Sequence, residues 1–167
     1  LVKMIYGVMR PDAGAMRLDG EVYTPNRPSD ARTRGVGMVF QHFSLFEALT
    51  VGENVALGMN AADVGRDLND QIVKVSDAYG LSLDPARTVG SLSVGERQRV
   101  EIVRCLLQNP RLLIMDEPTS VLTPQEVDDL FKTLRTLVAD GCSILYISHK
   151  LEEIRAHCNK ATVLRGG

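Results

Sequence analysis

Apolar positions along this chain follow two patterns. Short uninterrupted apolar runs lie within 36–40, 112–115 and 143–148, and such runs are typical of buried strands in a parallel sheet. Between the last two runs, apolar side chains recur at three- and four-residue steps over 124–139, which predicts an amphipathic helix with one apolar face on the sheet. That face comprises Val127, Leu130, Phe131, Leu134, Leu137 and Val138. Alternating strands and helices predict an α/β fold with a mostly parallel sheet flanked by helices.

Weaker signals define the other elements. The opening residues predict the end of a helix stopped by Gly7, and the dipeptide at 19–20 predicts a turn between short strands at 15–18 and 21–23. We expect helices at 29–34, 51–57, 69–79, 94–107 and 151–157, and a final strand at 161–164. The block 41–90 is predicted to be helical and irregular, whereas 1–40 and 91–167 hold the α/β part.

Composition narrows the class of protein. The 167 residues are 44% hydrophobic, which is enough for one domain with a core. The net charge is −2, without a long basic run, which disfavours a nucleic-acid binder. No apolar stretch approaches the ~20 residues of a membrane span. The three cysteines, Cys105, Cys142 and Cys158, are widely spaced and form no CxxC pair, which favours reduced thiols of a cytosolic protein.

Two adjacent acids follow the apolar run 112–115. Asp116 and Glu117 end this strand, and Pro118 comes next. Open α/β sheets bind their ligands at the carboxyl ends of their strands. In a P-loop ATPase the first acid would hold Mg²⁺ and the second would polarise the attacking water. The alternative is a strand that ends in solvated acids.

Three further features accompany the acids, and each has an ordinary structural explanation. Residues 93–96 read Ser-Val-Gly-Glu, a capping box at a helix start, but residues 50–53 have the same pattern. Gln41 and His149 each follow a predicted strand, where a polar loop residue is common. A helix start offers free N–H groups and a partial positive charge to a phosphate.

In chain order these motifs resemble the ATP-binding subunit of an ABC transporter, and the resemblance covers essentially the whole chain. Gln41 corresponds to the Q-loop, residues 92–96 to the signature, Asp116 and Glu117 to the Walker B pair, and His149 to the switch histidine. The resemblance implies ATP and Mg²⁺ as cofactors.

The resemblance also implies roles for these residues. Asp116 would hold Mg²⁺ through a water, and Gln41 would contact Mg²⁺ or the attacking water. Glu117 would act as general base, and His149 would contact the γ-phosphate. The signature would cap the ATP held by an opposite subunit, through Ser93, Val94, Gly95 and Glu96.

The implied partners are a second ATPase domain, as a homodimer or a fused tandem half, and transmembrane permease subunits. A solute-binding protein would act indirectly, no nucleic acid is expected, and the place of action would be the cytoplasmic face of the membrane. The sequence contains no G-x-x-x-x-G-K-[ST] phosphate loop. We therefore expect a P-loop NTPase domain of the ABC type that is truncated at its N-terminus, beginning just after that loop.

One position departs from the family pattern. Many ABC proteins have Asp where Thr123 stands, in the D-loop, although Thr123 with Pro124 and Glu126 is a good helix start. Residues 120–126 and 92–102 are similar to those of simple-sugar and nucleoside importers, in their first ATPase domain. Two alternatives stay open: an ABC-type ATPase of DNA repair or translation, and a nucleotide-responsive half-site that hydrolyses poorly because of Thr123.

Overall fold

The computed structural model describes residues 1–59 and 64–165. Its seven α-helices, in chain order, are α1 (Val2–Ile5), α2 (Pro28–Thr33), α3 (Val51–Leu57), α4 (Leu68–Ala78), α5 (Val94–Leu106), α6 (Pro124–Ala139) and α7 (Leu151–His157). The five strands of these residues are β1 (Arg17–Leu18), β2 (Glu21–Val22), β3 (Val36–Val39), β4 (Leu112–Asp116) and β5 (Ser143–Ile147). A short 3-10 helix, Val89–Ser91, precedes α5.

A parallel sheet of order β3-β4-β5 organises the domain. Val36 pairs with Leu112, and Leu112 pairs with Ser143, so all three strands end at the same edge. The parallel sheet flanked by helices is therefore confirmed. This register brings the segments after Val39, Asp116 and Ile147 to one side of the domain.

Alternate residues of the central strand face two separate apolar clusters. Leu113 and Met115 pack into the larger cluster, with α3, α4, α5 and α6. Ile114 packs into the smaller one with Tyr6 and Tyr23, on the side of α1 and the β1–β2 hairpin. All three strand residues are fully buried, as expected for a central strand covered on both faces.

The hairpin forms around its predicted turn. Strands β1 and β2 are antiparallel, with Leu18 opposite Glu21. Both turn residues have positive φ, 54° at Asp19 and 82° at Gly20. Positive φ at both central residues defines a type I′ turn, whose twist matches that of the flanking strands in a two-residue hairpin. Asp-Gly is a preferred sequence for this turn.

Helices with strong local signals have the predicted bounds. Helices α3, α6 and α7 begin and end at the predicted residues, α5 ends one residue early, and α2 and α4 each begin and end one residue earlier than predicted. Within α6 the predicted apolar face is buried at Leu130, Phe131, Leu134 and Leu137. The prediction that Val138 belongs to this buried face is wrong, because Val138 is 53% exposed.

The strand predicted at 161–164 is wrong. These residues lie outside any helix or strand, and Val163 is 87% exposed. A strand is stable only when a neighbour accepts and donates its backbone hydrogen bonds. Within 1–59 and 64–165 no strand pairs with this segment.

The block 41–90 holds α3 and α4, and both helices contribute to the same apolar cluster as α5 and β4. Its treatment as a separate helical subdomain stays a prediction. Among the residues that the structure describes, no helix is long and apolar enough to cross a membrane. Cys105, Cys142 and Cys158 are all free thiols.

Candidate functional site

The backbone turns sharply where β4 ends. Glu117 has φ 47°, a left-handed conformation that is strained for a side chain of this size, and Pro118 follows it. The Glu117 amide donates to the carbonyl of Ile147 at 3.0 Å, so the sheet holds this residue in place. Strain of this kind is concentrated at functional sites, where surrounding contacts maintain it.

Three of the predicted site residues meet at the Glu117 carboxylate. The amide Nε2 of Gln41 donates to Glu117 Oε2 at 3.2 Å, and Nδ1 of His149 lies 3.3 Å from Glu117 Oε1. Gln41 follows β3 and His149 follows β5, so the two neighbours of β4 each supply one contact. The Glu117 side chain is 29% exposed and that of His149 is 70% exposed, which leaves the group open to solvent.

Asp116 is the last residue of β4 and is partly buried. Within residues 1–59 and 64–165 no three His, Cys, Asp or Glu side chains cluster as a metal site would need. Mg²⁺ typically takes one or two carboxylates and completes its octahedron with phosphate oxygens and water. The Asp116 carboxylate and the Gln41 amide oxygen are ligands of the right chemistry for that kind of site.

The predicted signature residues form the start of α5. The Glu96 amide donates to Ser93 Oγ at 3.2 Å, and the Ser93 amide donates to Glu96 Oε2 at 2.8 Å, which is a complete capping box. Arg87 adds an ion pair to Glu96 at 2.6 Å. The hydrogen bond from the Ser93 amide lowers the pKa of Glu96. Partial burial opposes this decrease, and the nearby Arg87 adds to it.

Gly95 lies against another helix start. A Cβ at Gly95 would clash with Oε1 of Glu126, the residue whose carboxylate completes the capping box of α6. Any side chain there would displace the Glu126 carboxylate. Val94, next to it, is 43% exposed. In the part of the chain described, the signature residues bond to Arg87 and lie against Glu126, and no hydrogen bond or ion pair joins them to Gln41, Glu117 or His149. The predicted residues therefore form two groups.

Buried polar side chains of α5 join these groups, and sequence reasoning missed them. Gln98 is 4% exposed, and its Nε2 donates to the carbonyl of Pro118 at 2.8 Å. Glu101 is 1% exposed, accepts from the amide of Ser44 at 2.9 Å and pairs with Arg104. Helix α5 thus reaches both the segment after Glu117 and the segment after Gln41. The available signal was a polar side chain on the apolar face of a predicted helix.

The apolar residues that follow Gln41 divide between core and surface. Leu45 packs on the larger cluster, whereas Phe46 is 63% exposed. An open cavity of about 270 Å³ lies between Leu45 and the start of α5, where Val94 lines it. Its lining includes Gln41, Phe43 and Arg97.

Comparison with known proteins identifies the family of this chain. The ABC transporter family matches residues 1–120. The chain is 41% identical over its whole length to the nucleoside import ATP-binding protein NupA of Lactococcus lactis subsp. cremoris, and covers 34% of that protein. It is 38% identical to the ribose import ATP-binding protein RbsA of Rhodococcus jostii, and 40% identical to the guanosine import ATP-binding protein NupO of Bacillus subtilis. Both are matched by the whole chain, which covers 34% of each.

Solved structures show the same fold. The ADP conformation of MJ1267, an ATP-binding cassette of an ABC transporter, matches with a TM-score of 0.80 at 25% identity, over 93% of this chain and 67% of that one. A nucleotide-free ATP-binding cassette matches with a TM-score of 0.81, with the same identity and coverage. The chain spans about a third of the length of its curated relatives. On the family match, the relatives and the fold together, this chain belongs to the ABC transporter family of ATP-binding proteins.

Proposed function

We propose that this chain forms part of the ATP-hydrolysing domain of an importer for a sugar or a nucleoside. The observation that carries the proposal is the Glu117 carboxylate, with Gln41 on one oxygen and His149 beside the other. Fixed neighbours on both oxygens hold the carboxylate in one orientation, as a general base requires. The solute class rests on the relatives, whose names specify nucleoside, ribose and guanosine import.

Each residue of the group has a proposed part. Glu117 accepts a proton from the attacking water, and Gln41 holds Glu117 Oε2 through its amide. His149 lies beside Glu117 Oε1, with an exposed ring that can meet the terminal phosphate. Asp116 and Gln41 would hold Mg²⁺, which when bound neutralises phosphate charge. Positioning and charge neutralisation dominate phosphoryl transfer, so rigid strand ends suit it.

The signature group has a separate proposed role. Ser93, Val94, Gly95 and Glu96 form the start of α5, and the capping box there bonds Ser93 to Glu96. We infer that they meet ATP held by a second ATPase domain, which is either another copy or a fused half. Free N–H groups at the start of the 13-residue helix α5 favour a phosphate. Two such domains would work with transmembrane permease subunits at the cytoplasmic face of the membrane, supplied by a solute-binding protein.

Replacement of Glu117 by Gln tests the proposal in the full-length protein. The amide keeps the shape but accepts no proton, so we expect phosphate release to fall by about 10²–10⁴-fold, the usual contribution of a general base. Binding of ATP, measured by equilibrium dialysis, should change little. Glu152→Gln is the control, because Glu152 is an exposed carboxylate on α7. Wild-type turnover in Glu117→Gln, or an equal loss of binding and turnover, would contradict the proposal.

A further inference from the structure

Glu153 is the centre of a polar network beside the Glu117 group. It lies in the first turn of α7, and its side chain is only 13% exposed. Its carboxylate accepts from Tyr146 Oη at 2.6 Å, from Thr119 Oγ1 at 2.8 and 3.0 Å, and from Ser148 Oγ at 3.3 Å. Lys150 Nζ lies 3.2 Å from Glu153 Oε1. A carboxylate has about four acceptor sites, so this one is fully used.

Apart from Tyr146, which belongs to β5, the partners of Glu153 belong to the two loops that carry the proposed catalytic pair. Thr119 comes two residues after Glu117, and Ser148 and Lys150 are the two neighbours of His149. Lys150 Nζ closes the network by donating to the carbonyl and the Oγ1 of Thr119, both at 3.1 Å. One carboxylate therefore contacts both loops at once.

Glu153 keeps its charge in this setting. Burial alone would raise its pKa, but hydrogen bonds from Tyr146 and Thr119 and the nearby Lys150 outweigh burial and lower it. Burial, together with the hydrogen bond to Glu153, raises the pKa of Tyr146, so this phenol stays protonated and donates. An anionic acceptor makes each of these bonds stronger than a neutral one would be.

Apart from Glu153, the two loops are joined by Lys150 Nζ, which donates to Thr119, and by the backbone of the sheet. Between them, the backbone hydrogen bond from Glu117 to Ile147 marks the end of the sheet register. Beyond it, His149 is 70% exposed and stands next to Glu117 at 3.3 Å. A displacement of about 1 Å in a catalytic group can cost on the order of 10²-fold in rate.

We propose that Glu153 is a positioning residue, which fixes His149 against Glu117 by tying their two loops together through Thr119, Ser148 and Lys150. The proposal rests on the proposed function. Glu153 itself touches neither residue of the pair. Its removal should therefore act on the chemical step and leave ATP binding largely intact.

The test compares four single variants of the full-length protein and the double variant Glu153→Ala/Thr119→Val. Glu153→Ala removes every bond, Glu153→Gln keeps one acceptor oxygen, and Thr119→Val removes one partner without changing its shape. Glu152→Ala is the matched control on the same helix turn, because Glu152 is exposed and outside the network. Steady-state phosphate release gives kcat and KM for ATP, and thermal unfolding reports folding.

We expect Glu153→Ala to lower kcat by about tenfold or more while KM stays within about twofold, the pattern of an interaction that matters mainly in the transition state. Glu153→Gln should retain an intermediate kcat, and Glu152→Ala should match the wild type. Thr119→Val should lower kcat less than Glu153→Ala, and the double variant should be no slower than Glu153→Ala, because both changes break one network.

A kcat within about twofold of wild type in Glu153→Ala would overturn the positioning role. If that variant does not fold, wild-type kcat in both Glu153→Gln and Thr119→Val would do so. The proposed function is judged separately in the same preparations. A wild type without ATP hydrolysis would overturn both, whereas normal wild-type turnover with an unaffected Glu153→Ala would overturn only the positioning role.

Discussion

Nδ1 of His149 lies 3.3 Å from Oε1 of Glu117, although the two residues follow different strands. The parallel pairing of β4 with β5, which runs to Asp116 opposite Ile147, produces this contact. The left-handed backbone at Glu117 then turns its segment out of the sheet. The proposed base is therefore oriented from both sides, by Gln41 and by His149.

Removal of the His149 ring should slow hydrolysis. In His149→Ala, Glu117 loses one orienting neighbour and the terminal phosphate loses a contact, so we expect kcat to fall by about 10²-fold. Binding of ATP, followed by equilibrium dialysis, should stay near that of the wild type. His42→Ala is the control, since His42 is exposed. Turnover equal to the wild type in His149→Ala would exclude a role for His149 in the chemical step.

The capping boxes at Thr50 and Ser93 have the same geometry, so a comparison of the two can distinguish a structural role of Ser93 from a functional one. The Glu53 amide donates to Thr50 Oγ1 at 3.2 Å, the same distance as from Glu96 to Ser93. Removal of either cap, in Thr50→Ala or Ser93→Ala, should cost about 1 kcal/mol of unfolding free energy.

Only Ser93→Ala should also lower ATP turnover, because only α5 is proposed to meet a nucleotide. Unfolding in urea and phosphate release, measured on both variants of the full-length protein, give the two quantities. Equal turnover in Ser93→Ala and Thr50→Ala would reduce residues 93–96 to a helix cap.

The side chain of Thr123 caps the start of α6. Its Oγ1 donates to Glu126 Oε2 at 2.8 Å and its amide donates to the same oxygen at 2.9 Å. In Thr123→Asp a second carboxylate would face Glu126, so we expect a small loss of stability and no gain in turnover. Thr123→Ser, which keeps the cap, is the control. A clear rise in phosphate release by Thr123→Asp would instead favour the half-site that hydrolyses poorly.

Glu101 should make the stability of α5 depend on pH. Burial raises the pKa of Glu101, although Arg104 and the Ser44 amide oppose the increase. A carboxyl whose pKa is raised by folding stabilises most below its unfolded pKa, and this contribution is lost as pH rises through the folded value. Glu101→Gln cannot ionise. The unfolding free energy of the wild type, relative to Glu101→Gln, should therefore fall from acid to neutral pH.

Urea unfolding of both proteins measures this difference between about pH 4 and pH 7, the range in which a carboxyl group with a raised pKa titrates. Glu101→Ala gives the matched case, because it leaves Arg104 without its partner and should cost about 3–5 kcal/mol. A difference between wild type and Glu101→Gln that stays constant with pH would mean that Glu101 titrates normally.

Local signals determined most of the helices. The bounds of α3 and α6 follow from periodicity and caps, and the capping boxes of α3, α5 and α6 all formed as their sequences predict. Caps and apolar periodicity depend on residues that are close in the sequence, so the sequence shows them directly. The two failures, Val138 and the strand at 161–164, concern what covers a face or an edge. Neighbouring residues in the sequence carry no information about that.

The sequence by itself determined the order of the motifs, the parallel sheet and the family resemblance. Only the tertiary structure decided that Gln41 and His149 meet at the two oxygens of Glu117, whereas Ser93 and Glu96 bond to each other. It also decided that Glu153 joins two loops. The physical reason is that such contacts depend on strand register and on backbone direction after each strand, which long-range packing sets.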